Sequence, residues 1–143
     1  MKIGFTGTQL GMNPFQAGAV GDELRSLTRG VVGEMEFHHG VCVGADEQAH
    51  YIADEAGFWL VGHPPEDESK MAKGLFFNEL REPFPYLIRN EHIAYECDLL
   101  IATPKGPPMI RSGTWSCVRR ADGFGKKIVI FYPNGEKGVR NAY

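Results

Sequence analysis

The sequence has no run approaching the ~20 apolar residues that a membrane-spanning helix requires, and Met1-Lys2-Ile3-Gly4-Phe5 leads straight into a structured pattern instead of a leader peptide. A cytosolic protein without a membrane partner is therefore expected. Cysteine is scarce. Cys42, Cys97 and Cys117 are odd in number and lack C-x-x-C spacing, which speaks against a disulfide framework or a zinc knuckle and for reduced, mostly buried thiols. Excess positive charge is also missing: 15 Lys+Arg stand against 18 Asp+Glu, a formal net charge of -3. A broad basic surface tracking nucleic-acid phosphates is thus not expected. There is no internal repeat and no low-complexity tract. With 43% apolar and 23% charged residues in 143 positions, the composition is that of an ordinary folded chain, expected to form one domain over residues 1–143.

Two further absences narrow the chemistry. After the first apolar run the chain reads Gly4-Phe5-Thr6-Gly7-Thr8-Gln9-Leu10-Gly11. This is not the G-x-G-x-x-G dinucleotide fingerprint, and no Gly-Lys-Ser/Thr follows to make a P-loop. What is present instead is a set of three glycine-bearing turns, each beyond the end of an apolar run: Gly4 to Thr8, Gly40 to Asp46, and Ser112-Gly113-Thr114. Glycine lets backbone N–H groups approach a ligand closely, and a helix starting just afterwards adds the positive end of its dipole.

The apolar spacing predicts strands at residues 1–6, 34–39, 58–62, 97–103 and 127–132, alternating with helices at 15–28, 47–56, 86–95 and 114–123. Asn13-Pro14 supplies an N-cap and a first helical residue, and Asp46 a candidate cap for the second helix. Strands that are nearly continuous apolar runs, alternating with helices, indicate an α/β fold with parallel pairing and both sheet faces covered. Residues 66–85 are charged and mixed in period. They are expected to form a mobile loop with a short helix, a place where lids tend to sit. The tail at 134–143 is open between an ordered flap and a flexible end. In a parallel α/β sheet ligands bind beyond the carboxyl ends of the strands, so the three turns are expected to converge.

Taken together, Gly4-Phe5-Thr6-Gly7-Thr8, His39-Gly40-Val41-Cys42-Val43-Gly44-Ala45-Asp46 with Ala49-His50, Arg89-Asn90, Cys97-Asp98-Leu99-Leu100-Ile101-Ala102, and Ser112-Gly113-Thr114 with Arg120-Ala121 resemble the SLOG superfamily, most closely its small stand-alone nucleotide-sensing branch. That superfamily also holds the LOG enzymes and the Rossmann domain of the DNA-processing protein. The resemblance spans residues 1 to 132 and implies a Rossmann-like three-layer sandwich with a mainly parallel sheet of about five strands. It implies a nucleotide or nucleotide-derived small molecule, bound by Gly7, Thr8, Gly40, Gly44, Ala45, Asp46, Arg89, Asn90, Ser112, Gly113 and Thr114, with no separate cofactor. It allows a homodimer or higher homo-oligomer, while the net charge of -3 speaks against a nucleic-acid partner. Thr8, Ser112 and Thr114 offer hydroxyls to phosphate, Arg89 a planar fork, and Asp46 an acceptor for ribose hydroxyls.

LOG enzymes cleave the N-glycosidic bond of nucleoside monophosphates with the motif P-G-G-x-G-T-x-x-E. Here Cys117 stands at the glutamate's place, and Arg111 and Ser112 replace the paired glycines. Stabilising an oxocarbenium-like centre and handling a water is usually carboxylate work, so binding is the expected function and N-glycosidase or phosphoribohydrolase activity the alternative. Arg89 and Glu91 are the weak catalytic candidates, with Asp46, Glu47 and Glu79 as other carboxylates to weigh. A metal site of His38, His50 and His63 is conceivable but not expected. Adjacent histidines in a strand point to opposite faces, so His38 and His39 cannot serve one ion together. Trp59 and Phe5 are expected in the core, and Trp115 either there or against a base.

Overall fold

The computed structural model describes residues 1–142 and has one seven-stranded sheet in the order β4-β3-β2-β1-β5-β6-β7. The strands are β1 (Lys2–Gly7), β2 (Glu36–His39), β3 (Trp59–Gly62), β4 (Glu79–Leu80), β5 (Leu99–Thr103), β6 (Lys127–Phe131) and β7 (Lys137–Arg140). The helices are α1 (Pro14–Thr28), α2 (Ala45–Glu55), α3 (Tyr86–Glu96) and α4 (Gly113–Gly123). All pairings are parallel except β6 with β7. This is the expected Rossmann-like α/β fold, with β4 and β7 as two strands that apolar patterning did not reveal.

Strand alternation sorts the core into two layers. Ile3, Phe5, Phe37, Leu60, Leu99, Ile101, Val129 and Phe131 face α1 and α2. Leu100, Ala102, Ile128 and Ile130 face α3 and α4 with Ile93, Trp115, Cys117 and Val118. Successive residues of β5 are therefore buried on both sides, as parallel strands between two helical layers must be. The start of α1 is fixed by a capping box: the Asn13 side chain accepts from Gln16 N at 3.0 Å, while Gln16 Oε1 accepts from Asn13 N at 3.1 Å.

Three expectations change. Trp59 is 39% exposed, because β4 covers only Val61 and Gly62 of β3 and leaves the strand's first residues at an open edge. Residues 66–85 carry a short 3-10 turn, Glu68–Lys70, and β4, and they are tied to the sheet by backbone bonds: Ala72 N to Val41 O at 2.8 Å, Asn78 N to Leu60 O at 3.0 Å, and Arg81 N to Gly62 O at 2.9 Å. Backbone pairing of this kind needs no apolar periodicity, so the sequence does not announce it. Asp46 does not cap α2 either. Gly44 occupies that position without a side-chain bond, and Asp46 sits in the first turn.

Candidate functional site

Strand order reverses direction of travel at β1 and β5, and here the three glycine turns meet. Thr8 N donates to Thr103 O at 3.1 Å, joining the two strand ends before their loops diverge. The cleft that opens above them has a volume of about 410 Å³, within the usual range for small-molecule sites, and is lined from β1 and its loop by Phe5, Thr6, Gly7, Thr8, Gln9 and Leu10. Gly40, Cys42 and Asp46 come from the β2–α2 turn, Tyr86, Arg89, Asn90 and Ile93 from α3, and Lys105, Arg111, Ser112, Gly113 and Thr114 from the β5–α4 loop and the start of α4.

The Gly40–Gly44 turn is strained and held from several sides. Val41, a β-branched residue, has φ 59°, a conformation expected only where the surroundings impose it. Its N–H donates to His39 Nδ1 at 3.0 Å, and its carbonyl accepts from Ala72 N. Arg89 Nη1 donates to Gly40 O, and Cys42 N donates to an Asp46 carboxylate oxygen at 3.2 Å. At Gly44, φ is 86° and a Cβ would run into the backbone carbonyl of Gln9, so only glycine fits between the first and second turns.

Arg89 is 2% exposed and lies on the cleft wall. Its Nη1 also donates to His63 O at 3.1 Å and its Nε to Asn90 Oδ1 at 3.0 Å, while its guanidinium carbon lies 4.8 Å from the Tyr86 ring centre. Much of its donor capacity is spent on the β2 and β3 loops. Beside it, burial pushes the Asp46 carboxyl up to about 6, against the opposing pull of Arg89 and the N–H groups of Cys42 and Gly40. A buried carboxyl that titrates near neutrality on a cleft wall is the type of group that functional sites contain.

On the other side, Ser112 caps α4 by accepting from Trp115 N at 3.2 Å. A Cβ on Gly113 would meet the Tyr86 hydroxyl, so glycine here lets Tyr86 close over the helix start. Lys105 and Arg111 line the same cleft. An α-helix N-terminus and two cations on one cleft are suited to an anion.

Of the residues expected at the site, Gly7, Thr8, Gly40, Asp46, Arg89, Asn90, Ser112, Gly113 and Thr114 line the cleft. Gly44 and Ala45 do not; Ala45 N donates to Thr8 O at 3.0 Å, so they brace the first loop from behind. Glu91 is half exposed and points away, 4.0 Å from Arg120. Glu47 and Glu79 are likewise off the cleft wall, as is the whole 66–85 segment. Cys117 is fully buried, its thiol pushed up to about 12 mainly by burial, and it faces the carbonyl of Asn90. Trp115 is 2% exposed and belongs to the core. Lys105, Arg111, Tyr86, Gln9 and Leu10 escaped the sequence reading. Their only signal was membership of the loops and helix starts that follow β1 and β5 or border them, which matters once the strand order is known.

The histidines pair across opposite faces of β2. His39 Nε2 lies 2.9 Å from His50 Nδ1, and His38 Nδ1 lies 2.8 Å from His63 Nε2. The trio of His38, His50 and His63 is therefore not assembled.

No protein-family model matches the sequence, and no curated protein matches it significantly. Solved structures do. The molybdenum cofactor binding protein from Rippkaea orientalis is 20% identical with a TM-score of 0.68, over 92% of this chain and 76% of that one. The likeness is one of fold, the Rossmann-like α/β sheet with its helices on both faces. The molybdenum cofactor carrier protein from Chlamydomonas reinhardtii superposes with a TM-score of 0.61 at 20% identity, over 90% of this chain and 74% of that one. DNA processing protein A from Streptococcus pneumoniae gives 0.65 at 18% identity over 90% of this chain, which spans about half, 49%, of that protein. Among the described residues, no helix is long and apolar enough to cross a membrane.

Proposed function

We propose that this SLOG-type chain binds a nucleotide-derived small molecule in the cleft between the β1 and β5 loops. The observation that carries the reading is the convergence of Thr8, Ser112 and Thr114 hydroxyls, the α4 N-terminus, Lys105 and Arg111 on one cleft of about 410 Å³. A phosphate sits at the Ser112–Thr114 end, where charge and N–H dipoles agree in sign. Tyr86 offers a ring face to a planar group, and Asp46 accepts hydrogen bonds from hydroxyls. The neighbours named for the molybdenum cofactor widen the class of ligands worth testing, since that cofactor bound at the same sheet edge would meet these groups.

Hydrolysis is the second reading, favoured by one observation: Asp46 is the one carboxyl among the described residues on the cleft wall, and burial pushes it up to about 6. The test is a panel of nucleoside mono-, di- and triphosphates, NAD, cyclic nucleotides and molybdenum cofactor, followed by thermal shift for binding and chromatography for turnover. A ligand-dependent rise in Tm that falls in Lys105→Ala and Arg111→Ala, without product, is the expected result. Release of free base that is lost in Asp46→Asn establishes the hydrolase instead, and no shift with any member removes the cleft assignment.

A further inference from the structure

We infer that His38, His63 and Glu96 form a binding site for a divalent first-row transition metal ion, zinc by its donor set, on the α3 side of the sheet. The inference is independent of what occupies the cleft. The ligand atoms of the three residues lie within 4.8 Å of one another, with both imidazoles buried and the carboxylate partly exposed.

The arrangement follows from strand register. His38 of β2 pairs laterally with Val61 of β3, and the chain leaves β3 into His63, so both rings lie on one face beneath the C-terminal end of α3, where Glu96 ends the helix. His38 Nε2 lies 2.9 Å from Glu36 Oε1, two residues earlier on the same strand face. A carboxylate only accepts, so it holds the proton on Nε2 and leaves the Nδ1 lone pair directed at His63. A metal-ligating histidine usually has this outer carboxylate, which fixes the tautomer and raises the basicity of the ligating nitrogen.

Charge agrees with a dication. Glu36 and Glu96 flank the pair, and the Arg81 guanidinium beside them is shared between Glu79 at 3.0 Å and Glu96 at 2.9 Å. Arg81 Nη1 lies 2.9 Å from either Glu96 oxygen and Glu96 Oε2 is 3.9 Å from His63 Nε2, so a small turn of the carboxylate brings Oε2 to the ion while Oε1 keeps Arg81. Arg89 lies beyond His63, bonded to its carbonyl, with Asp46 nearby to balance it. Zinc–nitrogen bonds of about 2.0–2.1 Å in a tetrahedral site place ligand nitrogens about 3.4 Å apart. The 2.8 Å separation of the two rings therefore needs to open by roughly half an ångström. His63 shifts its proton from Nε2 to Nδ1, with none lost, and a water completes the four ligands.

Co2+ and Zn2+ alone are the probes, with the whole 143-residue chain. Titration with Co2+ is expected to give the intense visible absorption of a tetrahedral site at one ion per chain, displaced by Zn2+, and Zn2+ is expected to raise Tm. His63→Gln removes both signals, and Glu96→Gln, at a partly exposed position that threatens folding least, weakens affinity. Glu36→Gln lowers affinity about 10–100-fold without touching the ion, whereas His50→Gln leaves it unchanged. No cobalt spectrum and no zinc-dependent Tm shift in the wild type overturns the proposal, as does binding that survives in both Glu96→Gln and His63→Gln.

Discussion

Asp46→Asn is expected to make the protein more stable at neutral pH, and by an amount that depends on pH. The Asp46 carboxyl is 5% exposed, and burial raises it from 3.8 to about 6 in the folded chain. The folded state thus holds the proton more tightly than the unfolded state does. Well below 3.8 both states are protonated and the group costs nothing. As pH rises through the interval up to 6, the unfolded chain ionises first and stability falls, and above that the full penalty is in place. A shift of about two units corresponds to roughly 3 kcal/mol at 1.36 kcal/mol per unit. Asparagine keeps an oxygen for Cys42 N and removes the charge, so it recovers about 1–3 kcal/mol near pH 7.5, allowing for the lost attraction to Arg89. For a chain of this length that is a rise in Tm of roughly 3–10 °C. Urea unfolding of wild type and Asp46→Asn at intervals between pH 4 and 8 gives the difference curve directly, free of other titrating groups. A difference that is flat across the interval, or a variant less stable at pH 7.5, refutes the argument that burial dominates over Arg89.

Gly44→Ala is expected to destabilise by roughly 1–3 kcal/mol or more in the same urea assay, because φ 86° is strained for alanine and its Cβ meets the Gln9 carbonyl. Arg89→Lys keeps the charge but cannot span Gly40 O, His63 O and Asn90 together; a loss of about 2–4 kcal/mol and faster amide exchange at residues 40–44 are expected. Asn13→Ala breaks the capping box and the 2.7 Å bond from Asn13 Nδ2 to Pro133 O, and is expected to cost about 1–2 kcal/mol without altering ligand binding in the cleft.

Several features were legible because they are local. The α1 start at Asn13-Pro14, the apolar runs of β5 and β6, and the three glycine turns after strands are written in neighbouring residues, and the parallel α/β class follows from their alternation. The cleft residues at Gly7, Thr8 and Ser112 to Thr114 could be named for the same reason: a turn that follows a parallel strand lies at the ligand edge wherever that strand sits in the sheet. The strands β4 and β7 were not legible, since two or four residues that pair through backbone at a sheet edge need no side-chain pattern.

What the sequence by itself determined, then, was the set of elements and the turns that terminate them, because helix caps, strand runs and glycine conformations act over a few residues. Only the tertiary structure decided which charged groups share a space. It turned Glu91 outward toward Arg120, buried Asp46 beside Arg89, put Lys105 and Arg111 in one cleft with Thr8 of the first turn, and set His38 against His63 under Glu96. Those meetings depend on strand order and register, which bring together residues far apart in the chain, and no local pattern encodes them.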